Sequence, residues 1–274
     1  IKTRRRILEG MGIEFVLDTN VGKDISFNEI LESHDAAFMG LGTYTPMKGN
    51  MPGEESAGVY RALDYLIGNT KSILDMPPGE YGYTNLKGQR VVVLGGGDTA
   101  MDCVRSAIRQ GALEVTCLYR RDRENMPGSQ TEVNNAIEEG ISFRFNVQAL
   151  EVIESDGIAS AVRVVETRLG PPDESGRQRP EAIEGSETNI DADAIIIAYG
   201  FQASPETWFE QFDINTNQWG LIETSENDEF SFQTSNPKIF AAGDMVRGAD
   251  LVVTAVADAR KAALGIVEYL SKGD

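Results

Sequence analysis

The stretch Gly95-Gly96-Gly97-Asp98-Thr99-Ala100 places Gly95, Gly97 and Ala100 at the G-x-G-x-x-G/A spacing. That spacing works through main chain: the first glycine permits a tight turn, the second lets backbone approach a pyrophosphate, and the small third residue allows close helix–strand packing. The free N–H groups of a helix starting here would turn the positive end of its dipole toward the phosphates. Roughly 20 residues after such glycines an NAD site carries Asp or Glu for the ribose 2′-hydroxyl, whereas this chain has Tyr119-Arg120-Arg121-Asp122-Arg123. Guanidinium groups pair with a 2′-phosphate through charge-assisted, often bidentate contacts, which an acidic side chain would oppose. Residues 95–100 are therefore expected to bind NADPH in preference to NADH, with Arg120 and Arg121 on the additional phosphate. Two blander readings stand beside this one: a glycine-rich turn that binds nothing, and a solvated basic loop pairing with Asp122 and Glu124.

Other chemistry is poorly supplied. His34 is the single histidine, and Cys103 and Cys117 are the two cysteines, in no C-x-x-C arrangement. Histidine-based triads, multi-histidine metal sites and all-thiolate zinc or iron–sulfur sites are thereby excluded within this chain, so no metal ligand is expected and the chemistry is expected to be a cofactor's; hydride transfer relies mainly on orienting two rings, so no catalytic side chain is named. With 25 basic against 43 acidic residues the formal net charge is −18, a field that repels nucleic acids and anionic membranes. The apolar run Ile195-Ile196-Ile197-Ala198 falls far short of the roughly 20 residues of a membrane span, and no apolar segment follows the basic residues 2–6 as a signal peptide requires. A cytoplasmic location without nucleic-acid or membrane partners is the expectation.

Elements that would position the motif can be read around it. Arg90-Val91-Val92-Val93-Leu94 forms a strand ending at the glycines, and Ala100, Cys103, Val104, Ala107 and Ile108 then recur at helical spacing up to Gly111. A strand over 114–119, a helix opened by a capping box of Ser129 and Glu132 and ended by Gly140, and a strand over 141–146 complete a β-α-β-α-β run. Alternation over 150–154, 161–169 and 194–199 suggests a β-meander, with 170–189 as a polar separator. Upstream, a helix over 3–9, strands at 13–17 and 35–40 and a helix over 27–32 precede a Gly- and Pro-rich connection with one helix near 58–69. Downstream, Lys238-Ile239-Phe240-Ala241-Ala242 forms a strand into Gly243-Asp244, and a helix over 251–270 presents Val252, Val256, Ala259 and Ala263 on one face. Trp208 and Trp219 are expected to pack in a satellite core.

Taken together, residues 91–103, Tyr119-Arg120-Arg121 with Met126-Pro127-Gly128, residues 234–244 with Arg247-Gly248, and Gly40-Leu41-Gly42-Thr43-Tyr44 resemble the small (beta) chain of NADPH-dependent glutamate synthase and its close oxidoreductase relatives. The resemblance covers nearly the whole chain. It implies an α/β fold of the two-dinucleotide-binding flavoprotein type, in which a Rossmann-like NADPH-binding domain with a β-meander, 87–200, is inserted in a partial FAD-binding domain, 1–45 and 201–274, with 46–86 as a connecting segment. Electrons would pass from NADPH to FAD and on through iron–sulfur clusters to a glutamate synthase large (alpha) chain, or another electron-accepting subunit, for glutamate synthesis from glutamine and 2-oxoglutarate. The same resemblance sets Asp244, after Gly243, against the flavin ribityl or pyrophosphate region and turns Val252 and Thr254 toward the isoalloxazine ring. Gly42, Thr43 and Gly200 fall at strand ends where cofactors would lie.

This sequence departs from the family in lacking cluster-binding cysteines and a second glycine fingerprint upstream of Gly95; Gly40-Leu41-Gly42 fails because Thr45 fills the last position. The expectation is a C-terminal fragment with an NADPH site and half an FAD site, inactive by itself, the clusters lying in a missing N-terminal region. Two alternatives remain open. One is a non-catalytic nucleotide-binding or docking fragment; the other is the NADPH:FAD module of a ferredoxin- or pyrimidine-linked oxidoreductase.

Overall fold

The computed structural model describes residues 1–173, 176, 178–225 and 229–272. The chain folds into two compact units, one built from Ile1–Tyr44 and Gln202–Asp274, the other from Thr45–Phe201.

The unit Thr45–Phe201 is organised by a five-stranded parallel sheet in the order Val59–Arg61, Ala194–Ile197, Arg90–Leu94, Glu114–Tyr119, Ser142–Phe145. Because successive strand residues point to opposite faces, Val91, Val93 and Ile196 enter one core while Val92, Leu94, Ile195 and Ile197 enter another. A parallel sheet covered on both faces needs such unbroken apolar strands. The first core is closed by the helices Ala62–Ile73, Asp98–Arg109 and Gln130–Glu138, through residues such as Tyr65, Met101, Val104 and Val133. The second is closed by antiparallel strands, Val147–Ser155 and Ile158–Pro172, the latter flanked also by Thr188–Asp191 and Gln178–Ala182.

Several expectations change here. Ala194–Ile197 is not part of the meander; it lies between Val59–Arg61 and Arg90–Leu94 in the parallel sheet. The separator 170–189 contains the strands Gln178–Ala182 and Thr188–Asp191, formed because the 15-residue strand Ile158–Pro172 offers a long edge to pair with. The segment 46–86 contributes the edge strand Val59–Arg61 and the helix Ala62–Ile73 to this unit. Ser129 is the N-cap of Gln130–Glu138 without the expected box, since Glu132 pairs with Arg105 instead. Cys103 and Cys117 are buried, and burial pushes both thiols up, Cys117 to about 12, which leaves them inert packing.

In the unit of Ile1–Tyr44 and Gln202–Asp274, Ala37–Met39 pairs in parallel with Ile239–Ala241 over a core of Phe27, Met39, Phe209, Ile214, Ile222, Ile239 and Met245. Trp208 stacks on Phe27 with centroids 4.4 Å apart. Trp219 is exposed, against expectation, and residues 13–17 form no strand, since no strand among the described residues pairs with them. The helix Val252–Lys272 buries Asp258, Ala262 and Gly265 rather than the expected apolar face. Two close contacts decide this: Asp258 accepts from Arg247 Nε and Nη2 at 2.7 and 2.8 Å, and Gly265 lies on the Ser231 backbone, where a Cβ would have no room. No helix among the described residues is long and apolar enough to cross a membrane.

Two outcomes test this packing. Ile196 is fully buried at the sheet centre, so Ile196→Ala should cost about 2–5 kcal/mol in urea unfolding. Arg109 and Arg105 hold the Glu139 carboxyl below its usual value through side-chain hydrogen bonds, at Nε–Oε distances of 2.9 and 2.8 Å. A lowered carboxyl stabilises above the unfolded-state value of 4.5 and loses that contribution as pH falls through the folded-state value. Glu139→Gln should therefore be less stable than the unsubstituted chain at pH 7, by about 1 kcal/mol at most, and the gap should close in acid.

Candidate functional site

Three parallel strands end together at the glycine turn. Gly95 leaves the sheet with φ +149°, and its N–H donates to Leu118 O at 3.1 Å. A Cβ at 95 would collide with the Ala198 carbonyl, and that residue's own N–H donates to Leu94 O at 2.8 Å. At Gly96 a Cβ would run into the Tyr119 ring. Gly97 differs: its backbone is extended, and a Cβ there would meet nothing within 4 Å. Fold packing thus explains the first two glycines and leaves the third unexplained.

Gly97 is the N-cap of Asp98–Arg109, with no side-chain cap bond. The first helical bonds run from the N–H groups of Ala100 and Met101 to Gly97 O, and among the described residues the N–H groups of Gly97, Asp98 and Thr99 donate to no protein acceptor. Asp98 is occupied on its other side, accepting from Ser129 N–H at 2.8 Å. Gly128 N–H donates to Gly96 O at 2.8 Å, and a Cβ at 128 would already stand 3.0 Å from that oxygen. The loop through Met126, Pro127 and Gly128 therefore backs the turn and leaves its outer N–H groups open. Ala100 is fully buried beneath it.

A hollow of about 400 Å³ opens over this turn, lined by Gly95, Gly96, Gly97 and Thr99, by Arg120 and Arg121, and by Gly200. The structure thus brings these predicted residues into one place. Arg121 is held by its neighbour: Nε donates to the Tyr119 hydroxyl at 3.0 Å, with the guanidinium 5.7 Å from the ring centroid. The Tyr119 hydroxyl in turn donates to Asn125 O at 2.8 Å. Asp122 accepts from Asn125 N–H and Nδ2, both at 2.8 Å, rather than pairing with an arginine. Sequence reasoning missed Met47, Lys48, Gly49, Pro127, Gln148 and Tyr199, which also line the hollow. Tyr199, next to Gly200, and Pro127, within the Met126-Pro127-Gly128 motif, carried signals that could have found them.

The remaining predicted residues lie in the other unit, at the ends of its two parallel strands. Pairing of Met39 with Ala241 sets Gly42 and Thr43 near Gly243 and Asp244; Leu41 N–H points to Met245 Sδ at 3.1 Å. Gly243 adopts φ +77°, and a Cβ there would stand 3.3 Å from Ala255 Cβ, so Ala255, in the first turn of Val252–Lys272, lies against this turn, with Val252 and Thr254 beside it in sequence. Thr43 Oγ1 is buried with no hydrogen-bond partner, and burial raises the Asp244 carboxyl above its usual value. The threonine hydroxyl is thus a buried polar group without an internal partner among the described residues, and the carboxyl is partly buried. Val252 is 76% exposed. No group of His, Cys, Asp and Glu able to hold a metal occurs among the described residues.

Comparison with known proteins places these features among relatives. Residues 15–259 match the pyridine nucleotide-disulphide oxidoreductase family. The chain is 54% identical to the glutamate synthase [NADPH] small chain of Halomonas elongata over 98% of its length, and 51% identical to that of Escherichia coli over 98%. It spans 57% and 58% of those two proteins. Among solved structures, Mycobacterium tuberculosis FprA in complex with NADPH superposes with a TM-score of 0.72 at 17% identity, over 93% of this chain and 68% of that one. At that identity the likeness shows a shared fold.

The three glycines make separable demands. Gly95→Ala and Gly96→Ala should each lower the urea midpoint clearly, because something in the fold must shift. Gly97→Ala should stay within about 0.5 kcal/mol of the unsubstituted chain, as surface changes usually do.

Proposed function

The chain belongs to the pyridine nucleotide-disulphide oxidoreductase family, and from that premise we propose that it is the NADPH-binding part of a flavoprotein that passes electrons from NADPH to FAD and on to a partner subunit. One observation carries the nucleotide reading. Gly97 is a glycine for which the protein itself has no use, at a helix N-terminus without a side-chain cap, where the N–H groups of Gly97, Asp98 and Thr99 meet no protein acceptor among the described residues, which is the arrangement a pyrophosphate requires. NADPH supplies a hydride and FAD accepts it. The chain's own residues bind and orient: 95–100 would hold the pyrophosphate, Arg120 and Arg121 the 2′-phosphate, and Gly200 would border the same hollow.

Fit to FAD rests on Thr43 and Asp244. An unpartnered buried hydroxyl and a partly buried carboxyl stand beside strand ends that carry Gly42 and Gly243, with Val252 and Thr254 at the adjoining helix start. These residues suit one side of the cofactor, and with no second fingerprint upstream of Gly95 the reading is a half-site. The likeness to glutamate synthase small chains supports a large (alpha) chain as the partner, glutamate synthesis as the outcome and the cytoplasm as the location. Iron–sulfur clusters would belong to sequence outside this chain.

Titration with NADPH and NADH, followed by nucleotide fluorescence, tests the reading. NADPH should bind more tightly; Gly97→Ala should weaken it about tenfold or more, near 1.4 kcal/mol, without the loss of stability expected at Gly95. Arg120→Gln and Arg121→Gln should remove much of the preference for NADPH. Equal affinity for NADH overturns the assignment of the arginines, and unchanged NADPH affinity in Gly97→Ala overturns that of the turn. FAD retained stoichiometrically through purification would refute the half-site. NADPH-dependent reduction of an artificial acceptor on adding FAD separates a catalytic module from a docking fragment.

A further inference from the structure

A second hollow, of about 390 Å³, adjoins the first and shares Arg120, Arg121 and Gln148 with it. Its far wall is Asp173, Gln178, Arg179 and Pro180, from the hairpin of Ile158–Pro172 and Gln178–Ala182. We infer that Arg179 is a third cation of the phosphate corner, a specificity-determining residue that selects the phosphorylated dinucleotide; the inference rests on the nucleotide reading of the neighbouring site.

Hydrogen bonding ties this hairpin to the arginine loop itself. Thr167, 4% exposed in the strand Ile158–Pro172, donates from Oγ1 to Arg120 O at 2.9 Å. Its N–H donates to Asn146 O at 2.8 Å, and Asn146 N–H donates to Arg121 O at 3.0 Å. The strand that pairs with this segment carries Arg179: Thr167 faces Ala182, Arg168 faces Glu181 and Leu169 faces Pro180. Gly170 permits the close approach, since a Cβ there would stand 3.2 Å from Arg179 O, and Gln178 Nε2 then donates to Gly170 O at 3.0 Å. The backbone on either side of Arg179 is thereby tied to that of Arg120 by main-chain and side-chain bonds, with a register shift between Leu169 and Pro172 opposite Arg179 itself.

Charge points the same way. The chain carries −18 overall, and Arg90, Arg105, Arg109, Arg163 and Arg168 in the same unit all bridge to carboxylates. Arg120, Arg121 and Arg179 form no ion pair among the described residues, and they meet at one hollow. Asp173 shares that wall and has bonding of its own. Three guanidinium groups at one hollow suit a dianionic group, which each can meet with charge-assisted hydrogen bonds.

The test compares NADPH and NADH affinities of Arg179→Gln, Arg179→Lys and Arg120→Gln with the unsubstituted chain. Arg179→Gln should weaken NADPH about tenfold while NADH changes less than about twofold, Arg179→Lys should recover part of the loss through its point charge, and added salt should narrow the difference. NADPH affinity unchanged in Arg179→Gln, in a chain whose preference falls in Arg120→Gln, overturns this inference alone. Equal losses for both nucleotides overturn it as well, marking a structural effect. An unsubstituted chain that does not prefer NADPH overturns the nucleotide reading and this inference with it.

Discussion

Close approach of the Ala198 carbonyl to the Gly95 backbone is the constraint on which the site depends. Ala194–Ile197 lies directly beside Arg90–Leu94, in register from Ala194 against Val91 to Ile197 against Leu94. The two strands therefore end at the same level, and the chain leaving one must pass over the chain leaving the other. Only a residue without Cβ fits at 95. Tyr119, ending the strand on the other side, imposes the same demand on Gly96. What opens above the turn is the space that these contacts leave, floored by a helix end whose first N–H groups face outward.

Tyr119 links that constraint to charge. Its ring occupies the place of a side chain at 96, and its hydroxyl receives Arg121 Nε. One residue thus fixes the shape of the turn and the direction of a guanidinium. The backbone of the arginine pair is held separately, through Asn146 and Thr167, so the parallel sheet and the antiparallel strands meet at Arg120–Arg121. A rigid positive corner in an acidic chain follows from that double attachment, and rigidity matters because a planar guanidinium gains most from a phosphate when its orientation is already set.

In the other unit the same physical device recurs on a smaller scale. Two parallel strands end together, a glycine with positive φ turns the chain at Gly243, and a helix packs against the turn through Ala255. The apolar stripe of that helix, with Val252 and Val256, stays exposed, because its inner face is specified by Asp258, Ala262 and Gly265. Periodicity identifies the helix but not its buried side; a paired carboxylate and two small residues override the apolar stripe when close backbone contact and a bidentate arginine decide the packing.

What the sequence by itself determined is local: the fingerprint strand, the turn, the helix after it, and the arginines at the end of the next strand all follow from side-chain period and from the special conformations of glycine. The elements it hid depend on partners elsewhere in the chain. Val59–Arg61, Gln178–Ala182 and Thr188–Asp191 are strands only because Ala194–Ile197 and Ile158–Pro172 present edges to them, and so short a segment carries no periodic signal of the edge it meets. Likewise the spacing of Gly95, Gly96 and Gly97 announces a dinucleotide turn, but which glycine serves the fold and which serves a ligand was decided by the Ala198 carbonyl and the Tyr119 ring. Those neighbours come from other strands, and only the tertiary structure sets their distances.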